Sequence, residues 1–149
     1  MPFICIYVHF VWTTKNRIPF LNNVSKRLEV WTHIRQYAFD KGIHVDFVGG
    51  YEDHCHCLVS LKNNQSADMV MQLIKGESAR FVNGTSMSDI GFAWQDGYYA
   101  AAVQFDRVNQ VREYIKNQET HHSKQTFTDE YEMLLRKNGF QKIEELDFG

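Results

Sequence analysis

Two histidines, His54 and His56, stand one residue apart in a segment that reads His-Cys-His-Cys-Leu-Val. Side chains alternate along a β-strand, so on a strand both imidazoles would project from one face, about 6.6–6.8 Å apart along the backbone. Two imidazoles so placed can bind one cation, with nitrogen–metal distances of about 2.0–2.1 Å for a zinc-like ion. Cys55 and Cys57 would point to the opposite face, where we expect them to pack in the core. The spacing alone is equally compatible with two histidines that only form hydrogen bonds on a sheet surface.

Tyr114 and Gln118 are four residues apart in a segment whose apolar residues have helical spacing, so they would lie one turn apart on one helix face. The amide oxygen of Gln118 is a hard ligand suited to Mg²⁺ or Mn²⁺. The phenol of Tyr114, once deprotonated, can attack phosphorus and form a covalent phosphotyrosine. His121 and His122 fall on the next turn, where they can contact phosphate or transfer protons. The spacing permits this chemistry without requiring it, because a tyrosine on an amphipathic helix is usually a core residue.

The elements that would position these residues follow from periodicity and capping residues. The patterns predict a strand over residues 3–12, a helix capped by Asn22 or Asn23, strands over about 43–51 and 54–61, a helix starting at Ser66, a strand within 92–105, a helix capped by Asp106 and running to about His121, and a last helix capped by Thr126 or Thr128. The order is β-α-β-β-α-β followed by two helices. It predicts an α+β, ferredoxin-like (RRM-like) split βαβ fold: an antiparallel four-stranded sheet with two helices on one face, plus two C-terminal helices.

The composition fits one packed domain over residues 1–149, because 44% of the residues are hydrophobic and 14% are aromatic. No run of about 18 apolar residues suggests a membrane span, and the apolar start of the chain is typical of a first strand rather than a signal peptide. The three cysteines cannot all pair with one another, which favours a reducing compartment, the cytoplasm. The formal net charge of −2 does not indicate a nucleic-acid partner.

Two motifs resemble those of a known family. His54-Cys55-His56 resembles the histidine–hydrophobe–histidine (HUH) motif, and the segment from Tyr114 to Gln118 resembles the tyrosine-x-x-x-glutamine motif of the same enzymes. The chain resembles the single-tyrosine HUH transposases of small bacterial insertion sequences, the IS200-like transposase family, to which REP-associated tyrosine transposases are related. The resemblance extends to FVWTTK (residues 10–15), MQLIKGESAR (71–80), WQDGY (94–98), QETHH (118–122), Phe127 and Glu130.

The resemblance implies a single HUH transposase domain over residues 1–149: a βαββαβ core over 1–105, a tyrosine helix over 106–122, and a C-terminal helix and tail over 126–149. It also implies that His54, His56 and Gln118 hold a divalent metal, Mg²⁺ or Mn²⁺, and that Tyr114 attacks single-stranded DNA. The products would be a 5′-phosphotyrosine and a free 3′-hydroxyl, and the hydroxyl of another strand would reverse the step. No nucleotide cofactor is needed, because the covalent link conserves the energy of the broken bond.

The partners implied by the resemblance are single-stranded DNA with hairpin ends and a second copy of the chain. In the implied homodimer, the active sites are shared between subunits, so that Tyr114 of one subunit completes the histidine pair of the other. We expect contacts to DNA phosphates from the following residues: Lys15, Arg17, Lys75, Ser78, Arg80, His121 and His122.

Three alternatives remain open at this stage. A histidine-triad nucleotide hydrolase would need a third alternating histidine, but Leu58 occupies that position. A non-catalytic ferredoxin-like domain could bind single-stranded nucleic acid by stacking bases on Tyr7 and Phe10 of the first strand. A domesticated relative could bind hairpins after losing its mobility, although all four implied catalytic positions are present.

Overall fold

The structure, a computed structural model, describes residues 2–85, 91–121 and 126–139. Its strands and helices follow the predicted order, as β1 (Ile6–Thr13), α1 (Val24–Asp40), β2 (His44–Tyr51), β3 (His54–Leu61), α2 (Ala67–Asn83), β4 (Tyr99–Val103), α3 (Val108–Lys116), α4 (Gln118–His121) and α5 (Phe127–Lys137). The four strands form one sheet in the order β2-β3-β1-β4, in which all neighbouring strands are antiparallel. The predicted ferredoxin-like α+β fold is therefore confirmed.

Capping side chains set the start of three helices, as their types predict. The side chain of Asn23 accepts a hydrogen bond from the backbone N–H of Lys26 at the start of α1. The side chains of Ser66 and Thr126 accept equivalent bonds from the backbone N–H groups of Met69 and Asp129, at the starts of α2 and α5. Each bond satisfies one of the backbone donors that a helix leaves unpaired at its N-terminus.

The prediction of one continuous helix over residues 106–122 is wrong, because the structure divides this segment into separate elements. Asp106 does not cap it, since this residue lies in a 3₁₀ turn, Phe105–Arg107, whose backbone bond runs from Arg107 N–H to the carbonyl of Gln104. Helix α3 begins at Val108 and ends at Lys116, and α4 begins at Gln118. The last predicted residue, His122, lies outside the described residues, as do residues 140–149 of the predicted C-terminal segment.

The two faces of the sheet bury different kinds of side chain. One face packs against α1 and α2 and forms the main hydrophobic core, which includes Phe10, Trp12, Cys55 and Cys57. The core packing predicted for both cysteines is thus confirmed. Phe10 is fully buried here, so it cannot stack on a nucleic-acid base as the RRM-like alternative requires. The opposite face, which carries His54 and His56, is covered by α3, α4 and α5.

A glycine lets α3 approach this second face closely. Gly49 lies on β2 directly opposite His56 on β3. A Cβ atom at Gly49 would lie 3.0 Å from Cγ2 and 3.3 Å from the carbonyl oxygen of Ile115, which is buried on α3. The absence of a side chain at Gly49 therefore fixes how near the sheet Ile115 and its neighbour Tyr114 can lie.

Candidate metal centre and nucleophile

The histidine pair projects from β3 into the interior beneath the C-terminal helices, as the strand alternation predicts. His54 and His56 are both 0% exposed, and their ring centroids are 5.2 Å apart. Register with β1 places Thr13 opposite His54 and Val11 opposite His56. The two imidazoles are therefore held on a central strand, in a position from which water is largely excluded.

A third residue, Glu130 on α5, lies between the two histidines. Its Oε1 is 3.3 Å from Nε2 of His54, and its Oε2 is 3.3 Å from Nε2 of His56. The three side chains offer ligand atoms that all lie within 4.8 Å of one another. Two imidazole nitrogens and a carboxylate are a donor set that suits Zn²⁺, Mn²⁺ or Mg²⁺. The arrangement thus fits a divalent cation, and Glu130 extends the ligand set predicted from the sequence.

The buried stripe of α5 explains how Glu130 reaches this position. Phe127, Glu130 and Leu134 recur at helical spacing and are all buried. The ring of Phe127 packs 4.6 Å from that of His54, and Leu134 belongs to the cluster around Val11. A glutamate is rarely buried without a partner, so its place in an otherwise apolar stripe was a signal present in the sequence.

Gln118 also lies at the centre. Its side chain is 1% exposed, and its Oε1 lies 2.9 Å from Nε2 of His54. Its amide nitrogen donates a hydrogen bond of 3.0 Å to Glu130. The amide therefore bridges a histidine and the carboxylate, and its oxygen is close enough to the centre to act as a further ligand.

The outer nitrogens of both histidines have hydrogen-bond partners. Nδ1 of His54 lies 2.7 Å from Oδ1 of Asp53, and Nδ1 of His56 lies 2.8 Å from Nε2 of His9 on β1. Burial on its own would lower the pKa of His54, but the bonds to Asp53 and Glu130 together raise it to about 9. Burial and the neighbouring His56 lower the pKa of His9. Burial therefore favours the neutral form of His9.

Tyr114 brings a phenol to the edge of the centre. This half-buried residue donates a hydrogen bond from its hydroxyl to Oε2 of Glu130, and its ring lies 5.6 Å from that of His56. Burial and the negative charge of Glu130 raise the pKa of Tyr114 well above its ordinary value. Both effects favour the protonated phenol, the form that donates its hydrogen bond to Glu130.

A cavity of about 480 Å³ opens beside Tyr114, between α3 and α5 over the edge strand β4. Polar and basic side chains line much of it: Gln104, Arg107, Gln110, Lys137 and Asn138. His9 and Tyr114 also line it. A ligand in this cavity would therefore lie against the phenol.

The structure separates the predicted DNA-contacting residues into two groups. Lys75 donates hydrogen bonds of 2.8 Å to the carbonyl oxygens of Gln95 and Gly97. Ser78 is fully buried, where it donates to the carbonyl of Ile74 and accepts from the indole of Trp94. Both side chains bond within the fold, on the α2 side of the sheet away from the histidine pair.

The remaining predicted contacts are exposed or lie outside the described region. Lys15 and Arg17 follow β1, and Arg17 donates a hydrogen bond to Thr128 near the start of α5. Arg80 is exposed and forms an ion pair with Glu77. Of His121 only the backbone is described, and His122 lies outside the described residues. Arg17 therefore contacts the helix that carries Glu130.

One chain supplies every member of the centre. His54, His56, Tyr114, Gln118 and Glu130 meet within a single subunit. The homodimer with shared active sites, in which Tyr114 would serve the histidines of a partner, stays a prediction.

The fold and the centre together define the structural class of this protein. It has an α+β fold with a ferredoxin-like sheet that carries a buried histidine pair. A carboxylate from α5 and a tyrosine from α3 lie beside that pair.

Comparison with known proteins identifies the family. The family profile described as "Transposase IS200 like" matches residues 3–118, so the chain belongs to the IS200-like transposase family. The resemblance inferred from the HUH and tyrosine motifs is confirmed. No match was found among curated proteins.

Two solved structures have the same fold. A protein described as a candidate transposase from Deinococcus radiodurans R1 is 20% identical, with a TM-score of 0.61, over 78% of this chain and 93% of that one. A REP-associated tyrosine transposase bound to a REP hairpin is 17% identical, with a TM-score of 0.60, over 82% of this chain and 72% of that one. Within the described residues, no helix is both long enough and apolar enough to cross a membrane.

Proposed function

We propose that this protein cleaves and rejoins single-stranded DNA at the ends of an insertion sequence, with Tyr114 as the nucleophile. The observation that carries the proposal is the hydrogen bond from the Tyr114 hydroxyl to Glu130, which links a phenol to a carboxylate between two histidines. Membership of the IS200-like transposase family supports the same reaction. The buried cluster of ligand atoms supports dependence on a divalent metal.

In the proposed reaction the Tyr114 oxygen attacks the scissile phosphorus, and the bond from phosphorus to the 3′ oxygen breaks. Glu130 accepts the phenolic proton, because its Oε2 already accepts the hydrogen bond of that hydroxyl. The leaving 3′ oxygen takes up that proton and departs as a hydroxyl, and the 5′ phosphate remains on Tyr114. In the reverse step a 3′-hydroxyl from another strand gives its proton to Glu130 as it attacks the phosphotyrosine, and Glu130 returns the proton to the departing tyrosine oxygen.

The residues that would hold the metal are His54, His56 and Glu130, with Gln118 as a further ligand. A divalent cation bound there would polarise the scissile phosphate and offset its developing charge, with Mg²⁺ or Mn²⁺ as the proposed ions. The residues of the chain keep water away from the centre and orient the phenol. No nucleotide cofactor enters the proposed reaction.

The proposed substrate is a DNA single strand with a hairpin near the cleavage site. One structural neighbour is a tyrosine transposase bound to a REP hairpin, which supports this substrate class. The cavity beside Tyr114 offers the strand a path, since Arg107 and Lys137 in its wall can contact phosphate. Three free cysteines accord with a cytoplasmic protein, which we also propose.

The proposal is tested with single-stranded oligonucleotides taken from the DNA that flanks the gene, where hairpins are expected. Incubation with Mn²⁺ or Mg²⁺ should give a covalent protein–DNA adduct on a denaturing gel, and EDTA should prevent it. Tyr114→Phe should abolish the adduct and leave hairpin binding intact. The matched control is Tyr98→Phe, because the Tyr98 hydroxyl bonds to the exposed Asp68 on α2, and losing that bond should leave the adduct unchanged. An adduct that persists in Tyr114→Phe would refute the assigned nucleophile.

A further inference from the structure

A third histidine, His9, contacts the candidate metal centre from the neighbouring strand. It lies on β1 and is 5% exposed. Leu58 is its direct cross-strand partner on β3, so His56 is its diagonal neighbour on the same face. Nε2 of His9 lies 2.8 Å from Nδ1 of His56, and the two rings stack with centroids 5.1 Å apart and an angle of 24° between their planes.

The direction of this hydrogen bond follows from the chemistry of a metal-binding histidine. A neutral imidazole that binds a cation through Nε2 carries its proton on Nδ1. In His56 the Nε2 atom faces Glu130, whereas Nδ1 faces His9. With a cation in the centre, Nδ1 of His56 must donate and Nε2 of His9 must accept.

We propose that His9 is a positioning residue, whose Nε2 accepts the Nδ1–H of His56 and thereby holds Nε2 of His56 toward the metal. The inference rests on the proposed metal site and extends it by one residue that does not touch the cation. Partners of this kind fix the tautomer and ring orientation of a ligand, and they raise its basicity. His9 would do this for His56 as Asp53 does for His54.

Substitutions of His9 can distinguish this role from simple packing. Its ring meets Tyr99 edge-on at 5.9 Å and Tyr114 edge-on at 6.3 Å, so an apolar residue of similar size could fill the same space. Such a residue would leave the buried Nδ1–H of His56 without this acceptor. The lost hydrogen bond would destabilise the orientation of His56 that binds metal. A glutamine could keep an acceptor near the position of Nε2, because its amide oxygen can replace a ring nitrogen.

Manganese titration of the full-length protein without DNA tests the inference, with free Mn²⁺ followed by electron paramagnetic resonance. His9→Leu should weaken Mn²⁺ binding by about 10- to 100-fold, and His9→Gln should regain most of that loss. The matched control is His33→Leu, since His33 bonds to Glu77 on the other side of the sheet and should leave Mn²⁺ binding unchanged. Failure of the unchanged protein to bind Mn²⁺ would refute the proposed metal site itself. Normal binding by His9→Leu, or equal losses in the Leu and Gln variants, would overturn the role of His9 alone.

A second measurement needs no variant and therefore does not depend on whether His9→Leu folds. Long-range proton–nitrogen NMR spectra of the unchanged protein saturated with Zn²⁺ report which ring nitrogens carry protons. The inference predicts a protonated Nδ1 on His56 and an unprotonated Nε2 on His9. A protonated Nε2 on His9 would overturn it.

Discussion

Glu130 on α5 and His56 on β3 are 74 residues apart in sequence, yet the carboxylate Oε2 of Glu130 lies 3.3 Å from the imidazole Nε2 of His56. Both side chains are fully buried. A buried carboxylate is stable only when paired or hydrogen-bonded, and Glu130 has two histidines, Gln118 and Tyr114 around it. The pair therefore joins the C-terminal helix to the histidine motif in one candidate centre.

Removing the charge of Glu130 should damage metal binding more than folding. Glu130→Gln keeps the shape of the side chain but loses the anionic ligand. Loss of a residue that only supports a metal ligand already lowers metal affinity about tenfold or more, so Mn²⁺ affinity should fall by at least about tenfold here. Adduct formation should also fall, even at saturating Mn²⁺, because Glu130 is the proposed acceptor of the Tyr114 proton. Isothermal titration of both proteins measures the effect, with Glu132→Gln, an exposed change on the same helix, as the control. Equal Mn²⁺ affinity in Glu130→Gln and the unchanged protein would remove Glu130 from the ligand set.

Alanine substitutions at Gly49 and Gly76 should change the stability of the fold in opposite directions. Gly49→Ala forces a Cβ atom to within 3.0 Å of the Ile115 side chain, which should destabilise the fold by about 1–3 kcal/mol and displace Tyr114. Gly76→Ala on α2 meets nothing within 4 Å and should stabilise its helix by about 0.5–1 kcal/mol. Urea unfolding curves of the two variants measure both values. A Gly49→Ala protein as stable and as active as the unchanged one would contradict the packing of α3.

The three cysteines should differ sharply in reactivity. Cys5 is exposed, whereas burial raises the pKa of Cys57 to about 12 and that of Cys55 well above its ordinary value. At pH 8 only about one Cys57 in ten thousand would then be a thiolate, the form that reacts. Brief treatment of the folded protein with iodoacetamide should modify Cys5 alone, and all three should react in denaturant. Mass spectrometry counts the modified sites. Rapid labelling of Cys55 or Cys57 in the folded protein would contradict their burial in the main core.

Mixing two inactive variants distinguishes a site within one chain from a site shared between subunits. If the site is complete within one chain, as the contact of Tyr114 with its own His56 suggests, a mixture of Tyr114→Phe and His56→Ala proteins stays as inactive as either alone. The adduct assay, after subunit exchange has been verified with tagged copies, gives the answer. Activity returning in the mixture would instead support the shared-site homodimer implied by the family resemblance, since a mixed dimer would then contain one intact site.

The sequence predicted those parts of the site that local spacing controls. Alternation on a strand was enough to place His54 and His56 on one face and Cys55 in the core, and capping residues such as Ser66 located helix starts. Which of seven tyrosines serves the centre was not fixed by spacing, because tyrosines on amphipathic helices mostly pack in cores. The family motif was needed to select Tyr114.

Contacts between distant elements were the part that local patterns could not predict. The place of Glu130 in the apolar stripe of α5 indicated burial, but its contact with the two histidines depends on how α5 packs on the sheet. His9 stood alone in its strand, so nothing near it in sequence indicated that β1 would bring it to His56. Ser78 and Lys75 were expected to contact DNA. Instead, the buried Ser78 bonds to the indole of Trp94, and Lys75 donates a hydrogen bond to the carbonyl oxygen of Gln95. Each of these outcomes depends on tertiary packing rather than on local pattern.

The central claim is that Tyr114 becomes covalently attached to DNA, and peptide mass spectrometry of the adduct tests it most directly. After nuclease treatment and trypsin digestion, the short peptide over residues 113–116 should carry the added mass of a nucleotide 5′ phosphate, with fragment ions that assign the phosphate to Tyr114. The same digest made in EDTA should contain only the unmodified peptide. Nucleotide mass on any other tyrosine, with Tyr114 unmodified, would contradict the account.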